Sequence, residues 1–97
     1  MHVISKTKLV EFWNEHPDAK KPLYAWLRLA RKEEFLNFSE LKASFGSVDI
    51  VGRLFVFDIG GNKYRLISAV HFNRKKIFVR AILRHSDYDH GKWKVDT

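Results

Sequence analysis

The chain has 97 residues, carries 18 lysines and arginines against 11 acids for a formal charge of +7, and has a pI near 9.9. That length supplies one core and no second one, so residues 1–97 are expected to form a single domain, and the positive balance makes a polyanion the first partner to consider. The absence of cysteine excludes a thiol nucleophile and a thiolate zinc site, while the lack of a membrane-length apolar run, or of an apolar leader core in MHVISKTKLVEF, points to a soluble cytoplasmic protein with no membrane contact.

Met1 to Ile4 is short and apolar, suited to an edge strand, and Ser5 stands where a helix carrying Leu9, Phe12, Trp13 and His16 on one face would be capped. His16-Pro17-Asp18 ends that helix. After Pro22 a second pattern places Leu23, Trp26, Leu27 and Ala30 at i, i+3, i+4 and i+7, which predicts an antiparallel helical hairpin with its aromatic stripes in the core. A third, shorter helix is expected over Glu40–Phe45, after Ser39. The second half is strand-like: RLFVFDI, KYRLISAVHF and KIFVRAILRH are separated by Gly60-Gly61-Asn62 and Asn73-Arg74-Lys75, the residue types that tight turns need, so an antiparallel three-stranded meander is predicted.

Strand parity then sorts the side chains. With Asn73 facing Lys76 across a two-residue turn, Leu66, Ser68, Val70 and Phe72 stand opposite Leu83, Ala81, Val79 and Ile77, an apolar surface that Phe55 and Phe57 join. The other surface pairs Arg65 with Arg84, Ile67 with Ile82, Ala69 with Arg80 and His71 with Phe78, and Asp58 falls beside Arg65. One face is thus expected on the helices and the other is basic. Two arginines directly opposite one another cost stability unless an anion lies between them, and both Asp58 and a phosphate fit that place. Paired with Asp58 alone, the arginines would only solvate an exposed sheet.

GGNKYRLISAVHF and IFVRAILRHSDYD, preceded by SELKASF, resemble the HigB-type toxins of bacterial toxin–antitoxin modules, within the wider RelE-like superfamily. The signature is Gly-Asn-x-x-Arg followed by Arg-x-x-x-x-His-x-x-Tyr-Asp. The resemblance implies an α+β, RelE-like fold in which an N-terminal strand and a two-helix hairpin pack on the meander. It also implies a ribosome-dependent endoribonuclease, an mRNA interferase, acting on mRNA in the ribosomal A site and contacting ribosomal RNA. A helix-turn-helix antitoxin would neutralise it, and DNA contact would come only through that complex. Arg65, Arg80, His85, Tyr88 and Asp89 match the motif positions, whereas Arg84 replaces the threonine expected before the histidine.

Metal-free RNA cleavage activates a 2′-hydroxyl against the adjacent phosphate, which takes a base, an acid for the departing 5′-oxygen and cations for the phosphorane. Arg65 and Arg80 are expected on the phosphate with Arg84 in support, and His85 in proton transfer. Tyr88 is the alternative base or an orienting hydroxyl, and Asp89 would fix the His85 tautomer. Strict parity sends His85 to the core face beside Tyr64 unless the strand ends or twists there, and His71, which parity places on the basic face, is the reserve base. RNA contacts are further expected from Arg84, His71, Lys63, Lys42, Lys92 and Trp93, with Tyr88 and Trp93 either stacking on bases or packing on the sheet. Lys6, Lys8, Lys20, Lys21, Arg28, Arg31 and Lys32 either contact ribosomal RNA or solvate the hairpin. No cofactor or metal is expected: His85 and His90 lack further ligands, Ser86, His85 and Asp87 are too close in sequence for a triad, and no nucleotide-binding loop is present. The competing reading is a non-catalytic RNA- or protein-binding module with the same basic sheet.

Overall fold

The computed structural model describes residues 1–91, so Lys92 and Trp93 lie outside the described residues. In chain order the elements are β1 (His2–Ile4), α1 (Lys6–Glu15), a 3₁₀ turn (Pro17–Ala19), α2 (Lys20–Lys32), α3 (Phe38–Ser44), β2 (Asp49–Val51), β3 (Leu54–Ile59), β4 (Tyr64–His71), β5 (Lys76–Arg84) and α4 (His85–Asp89). The expected α+β architecture is present. Its sheet is larger than a three-stranded meander, because β1 joins β5 in parallel and β2 joins β3, giving one mixed sheet in the order β1-β5-β4-β3-β2.

The helices form where the apolar stripes predict them, and their ends differ in detail. Ser5 occupies the N-cap position of α1 in a left-handed conformation, φ 70°, and its hydroxyl caps nothing. α2 begins at Lys20, two residues before Pro22, because proline in a first turn gives up an N–H that has no intrahelical acceptor. α3 is capped by Asn37 rather than at Ser39: Asn37 Oδ1 accepts from the Glu40 N–H at 3.0 Å, and Glu40 Oε1 accepts from the Leu36 N–H at 3.0 Å. Leu9, Leu23, Trp26, Leu27, Ala30 and Leu41 then meet Phe55, Phe57, Leu66, Ile77 and Val79 in one core between helices and sheet. Ser68, fully buried there, donates its hydroxyl to Phe55 O at 3.4 Å.

The first hairpin has the predicted register, with Asp58 opposite Arg65 and Ile59 opposite Tyr64. The second does not. Its last pair is His71 with Lys76, the turn is closed by Lys75 N donating to Phe72 O at 3.2 Å, and Lys75 takes the left-handed φ of 57°. That moves the register by two and leaves the faces of Ile77, Phe78 and Val79 as predicted. A bulge then inserts Arg80 between the pairs Ser68–Val79 and Ile67–Ala81, and from there to the strand's end every side chain changes face. Ile82 enters the core, Leu83 stands opposite Arg65, and Arg84 stands opposite Tyr64. The predicted Arg65–Arg84 and Ala69–Arg80 pairs are therefore not formed, and the arginines do not converge as parity alone implied.

The turn between α1 and α2 is tied to the first hairpin by charge. Tyr64 Oη donates to Asp18 at 2.7 Å and Lys63 Nζ lies 3.5 Å from the same carboxylate. The Tyr64 hydrogen bond, joined by Lys63, holds the Asp18 carboxyl below its ordinary range, and the bond to Asp18, followed by burial, pushes the Tyr64 phenol up. Asp18 thus stabilises the fold above its unfolded pKa and loses that contribution as pH falls. Tyr64 does the converse, contributing below its unfolded pKa and losing it as pH rises. Tyr64→Phe should lower the urea midpoint near neutral pH and weaken its decline both on acidification below about pH 4 and on alkalinisation above about pH 10. An unchanged pH profile in that variant would show that the tie contributes nothing.

Candidate active site

The face of the sheet away from the helices is only partly basic. Leu54, Val56 and Ile67 are buried on it, with Val51, Ala69, Leu83 and Tyr88 packed against them. The cover comes from α4, a single turn that starts where β5 ends. His85 N donates to Lys63 O at 2.9 Å, so strand pairing continues to the first residue of α4 and the shifted register puts His85 in step with Leu83. Strict parity would turn His85 to the core face, and the bulge supplies the one-residue offset that keeps it in step with Leu83 instead.

Arg65 sits in the centre of this arrangement and is only 8% exposed. Its Nε lies 3.1 Å from Asp58 Oδ1, Nη1 donates to Tyr64 O at 3.2 Å, and Nη2 donates to Asn62 Oδ1 at 3.3 Å. Above it the guanidinium carbon is 5.6 Å from the centre of the Tyr88 ring, within cation–π range. Burial raises the Tyr88 pKa and the Arg65 charge only partly opposes this, so the phenol keeps its proton at neutral pH and is suited to donate rather than to act as a base. His85 Nδ1 lies 2.8 Å from Asp89 Oδ2 with both side chains about half exposed. In the neutral ring that contact places the proton on Nδ1 and leaves Nε2 with the lone pair.

The remaining expected residues are spread out. Arg84 pairs with Asp87 through Nε at 3.0 Å, an interaction that raises the Arg84 pKa further, and it lies on the Tyr64 side of the strand end. Arg80 is exposed at the bulge, and its carbonyl accepts from Lys8 Nζ at 2.8 Å. His71 is at the opposite end of β4, edge-on to Phe78 at 5.1 Å. Lys63 is paired with Asp18, and Lys42 donates to Val48 O at 2.9 Å, fastening the turn after α3. His85, Tyr88, Arg65 and Asp89 are thus brought together, while Arg80, His71, Lys63 and Lys42 are not. Sequence reasoning missed Asn62 as a partner of Arg65; its place three residues before the arginine in a tight turn was the available signal. Among the described residues no group of three or more histidine, aspartate or glutamate side chains is arranged to hold a metal.

Arg65 and Asp58 are both largely withdrawn from water, with side chains 10% and 30% exposed. Asp58→Ala would strand the guanidinium, and its unfolding free energy in urea should fall by about 3 kcal/mol. A loss below about 0.5 kcal/mol would mean that Arg65 is solvated like an ordinary surface arginine.

Comparisons with known proteins identify the family. The family model HigB_toxin, described as the RelE-like toxic component of a toxin-antitoxin system, matches residues 19–91. The chain is 30% identical over 92 residues to an mRNA interferase HigB of Escherichia coli O6:H1, covering 92% of this chain and 89% of that one. It is 32% identical to the mRNA interferase toxin HigB of Escherichia coli K12, covering 92% and 88%. With three quarters of its length inside the family model and its four clustered residues inside that span, the chain belongs to the HigB family of RelE-like toxins of toxin–antitoxin systems.

Proposed function

We propose that this protein is an mRNA endoribonuclease that cuts message on the translating ribosome, by metal-independent attack of a 2′-hydroxyl on the neighbouring phosphate. The observation that carries the reading is the His85–Asp89 pair beside the Tyr88–Arg65 stack at one end of the outer sheet face. The relatives' names as mRNA interferases support the substrate class. Asp89 fixes the His85 ring, whose Nε2 takes the 2′-hydroxyl proton. Tyr88, holding its proton, donates to a phosphate oxygen or to the departing 5′-oxygen. Arg65 supplies positive charge beneath the ring for the phosphorane, and the exposed Arg84 and Arg80 guanidinium groups hold flanking phosphates. The products are a 2′,3′-cyclic phosphate and a 5′-hydroxyl end. The partners in this reading are A-site mRNA, ribosomal RNA and a helix-turn-helix antitoxin, all in the cytoplasm; no helix among the described residues is long and apolar enough to cross a membrane.

One observation favours the alternative, a binding module without catalysis: Arg65 is already matched by Asp58, Asn62 and Tyr64. Catalysis and binding separate on proton transfer, which only the former needs. His85→Ala should lower the rate of cleavage on translating ribosomes by about 10²–10⁴-fold, with the fold and the salt-dependent RNA affinity retained. Tyr88→Phe should lower the rate while keeping the ring over Arg65. A 2′-deoxy substitution at the cut site should stop the reaction, and mapped downstream fragments should begin with a 5′-hydroxyl. Full cleavage by His85→Ala would remove the histidine from the mechanism, and equal loss of affinity and cleavage would favour the binding module.

A further inference from the structure

The bulge that redirects the end of β5 also builds a cleft. Where β1 gives way to α1, Ser5 and Lys8 approach the outer face of β4 and β5, and with His71, Phe78 and Arg80 they line a depression of about 440 Å³. That volume is in the range of small-ligand sites. Its walls are cationic, from Lys8 and Arg80, and none of the described residues lining it is a carboxylate. Arg80 differs from Arg65 and Arg84 in one respect. Those two have aspartate partners at 3.1 and 3.0 Å, whereas no carboxylate among the described residues pairs with the Arg80 guanidinium. Lys8 fixes the backbone here, donating to the bulged residue's own carbonyl at 2.8 Å. Bulges commonly serve to re-aim a side chain in this way.

The floor is aromatic. His71 and Phe78 meet edge to face, with ring centres 5.1 Å apart and planes at 80°. Ala69, beside them, continues in alternating steps along β4 to Ile67 and Arg65, so the cleft and the Tyr88–Arg65 stack lie on one face, six residues or ~20 Å apart along the strand. A guanidinium with no counter-ion among the described residues, next to a ring pair, suits a phosphate with a base attached: the guanidinium takes the oxygens and the rings take the π-face. An acidic peptide would satisfy the cations and leave the rings unused.

We infer that this cleft is a second nucleotide subsite, binding the phosphate and base of a residue of the same RNA strand a few nucleotides from the cleaved linkage. The inference rests on the RNA-cleaving reading for its ligand class and is independent of which group transfers the proton. It is tested by binding, with the full chain and a non-cleavable RNA octamer carrying 2′-deoxy sugars, beside an abasic octamer of equal charge and a dinucleotide. His71→Ala, an exposed position whose replacement should not disturb folding, is expected to weaken the octamer about ten-fold, corresponding to loss of one stacked base, and to leave the abasic octamer and the dinucleotide unchanged. Arg80→Gln should weaken both octamers and reduce the salt slope by about one. The two readings fail separately: RNA cleavage by the parent chain with octamer binding insensitive to His71→Ala and Arg80→Gln sinks the subsite alone, whereas subsite binding by a parent chain that cleaves no RNA sinks the catalytic reading alone. Equal effects of His71→Ala on octamer and abasic octamer, or octamer binding insensitive to both His71→Ala and Arg80→Gln, would overturn the subsite. Binding of polyglutamate that Arg80→Gln abolishes while octamer affinity stays intact would overturn it in favour of an acidic protein segment.

Discussion

One extra residue in β5 decides which side chains meet on the outer face of the sheet. With Arg80 unpaired between Val79 and Ala81, the last four residues of the strand exchange faces, and the consequence is chemical as much as geometric. An unbulged strand would carry His85 to the helix side, where Tyr64 and Asp18 already occupy the space, and would set Ile82 rather than Leu83 against Arg65. The inserted residue sends Arg84 to the rim and keeps His85 with Leu83 on the face that α4 covers. Because Lys8 holds the Arg80 carbonyl, α1 is coupled to this choice of register as well as to the core.

The sequence showed the broad layout because its signals are periodic. Leu23, Trp26, Leu27 and Ala30 repeat at helical spacing, and Phe55, Phe57, Leu66, Ser68 and Val70 alternate at strand spacing, so the helical layer, the three strands of the meander and the core face of β4 were readable, and the apolar run at Met1–Ile4 marked the edge strand β1. The errors lie where a single residue carries the information. The β4–β5 turn contains no glycine, and Lys75 takes the left-handed conformation in its place. The bulge is formed by an arginine and an alanine, neither of which marks one. β2, three residues long, and α4, with no buried residue, are too short to carry a period. The grouping of His85, Tyr88 and Asp89 was visible in the spacing of the motif, whereas their orientation depended on the offset upstream.

Charge in this protein is distributed less simply than a net +7 implies. Most of the basic residues nearest the hairpins are compensated: Arg65 by Asp58, Lys63 by Asp18, Arg84 by Asp87 and Lys75 by Glu34. These ties orient turns and strand ends, and each removes a cation from general attraction to polyanions. Basic residues without an ion pair among the described residues include all five on α2, whose thirteen residues carry no acid, and Arg80 at the bulge. The positive charge is therefore not spread as a uniformly positive sheet.

The pairing of β1 with β5 has a consequence in time. His2 is hydrogen-bonded into the sheet beside Lys76, so the first strand made has no neighbour until the last one is available. Such a long-range closure makes folding slow relative to synthesis of any single hairpin. Arg65 likewise lacks its aromatic cover until Tyr88 has emerged. A chain whose β5 and α4 have not yet been made therefore has neither a sealed sheet edge nor the Arg65–Tyr88 stack.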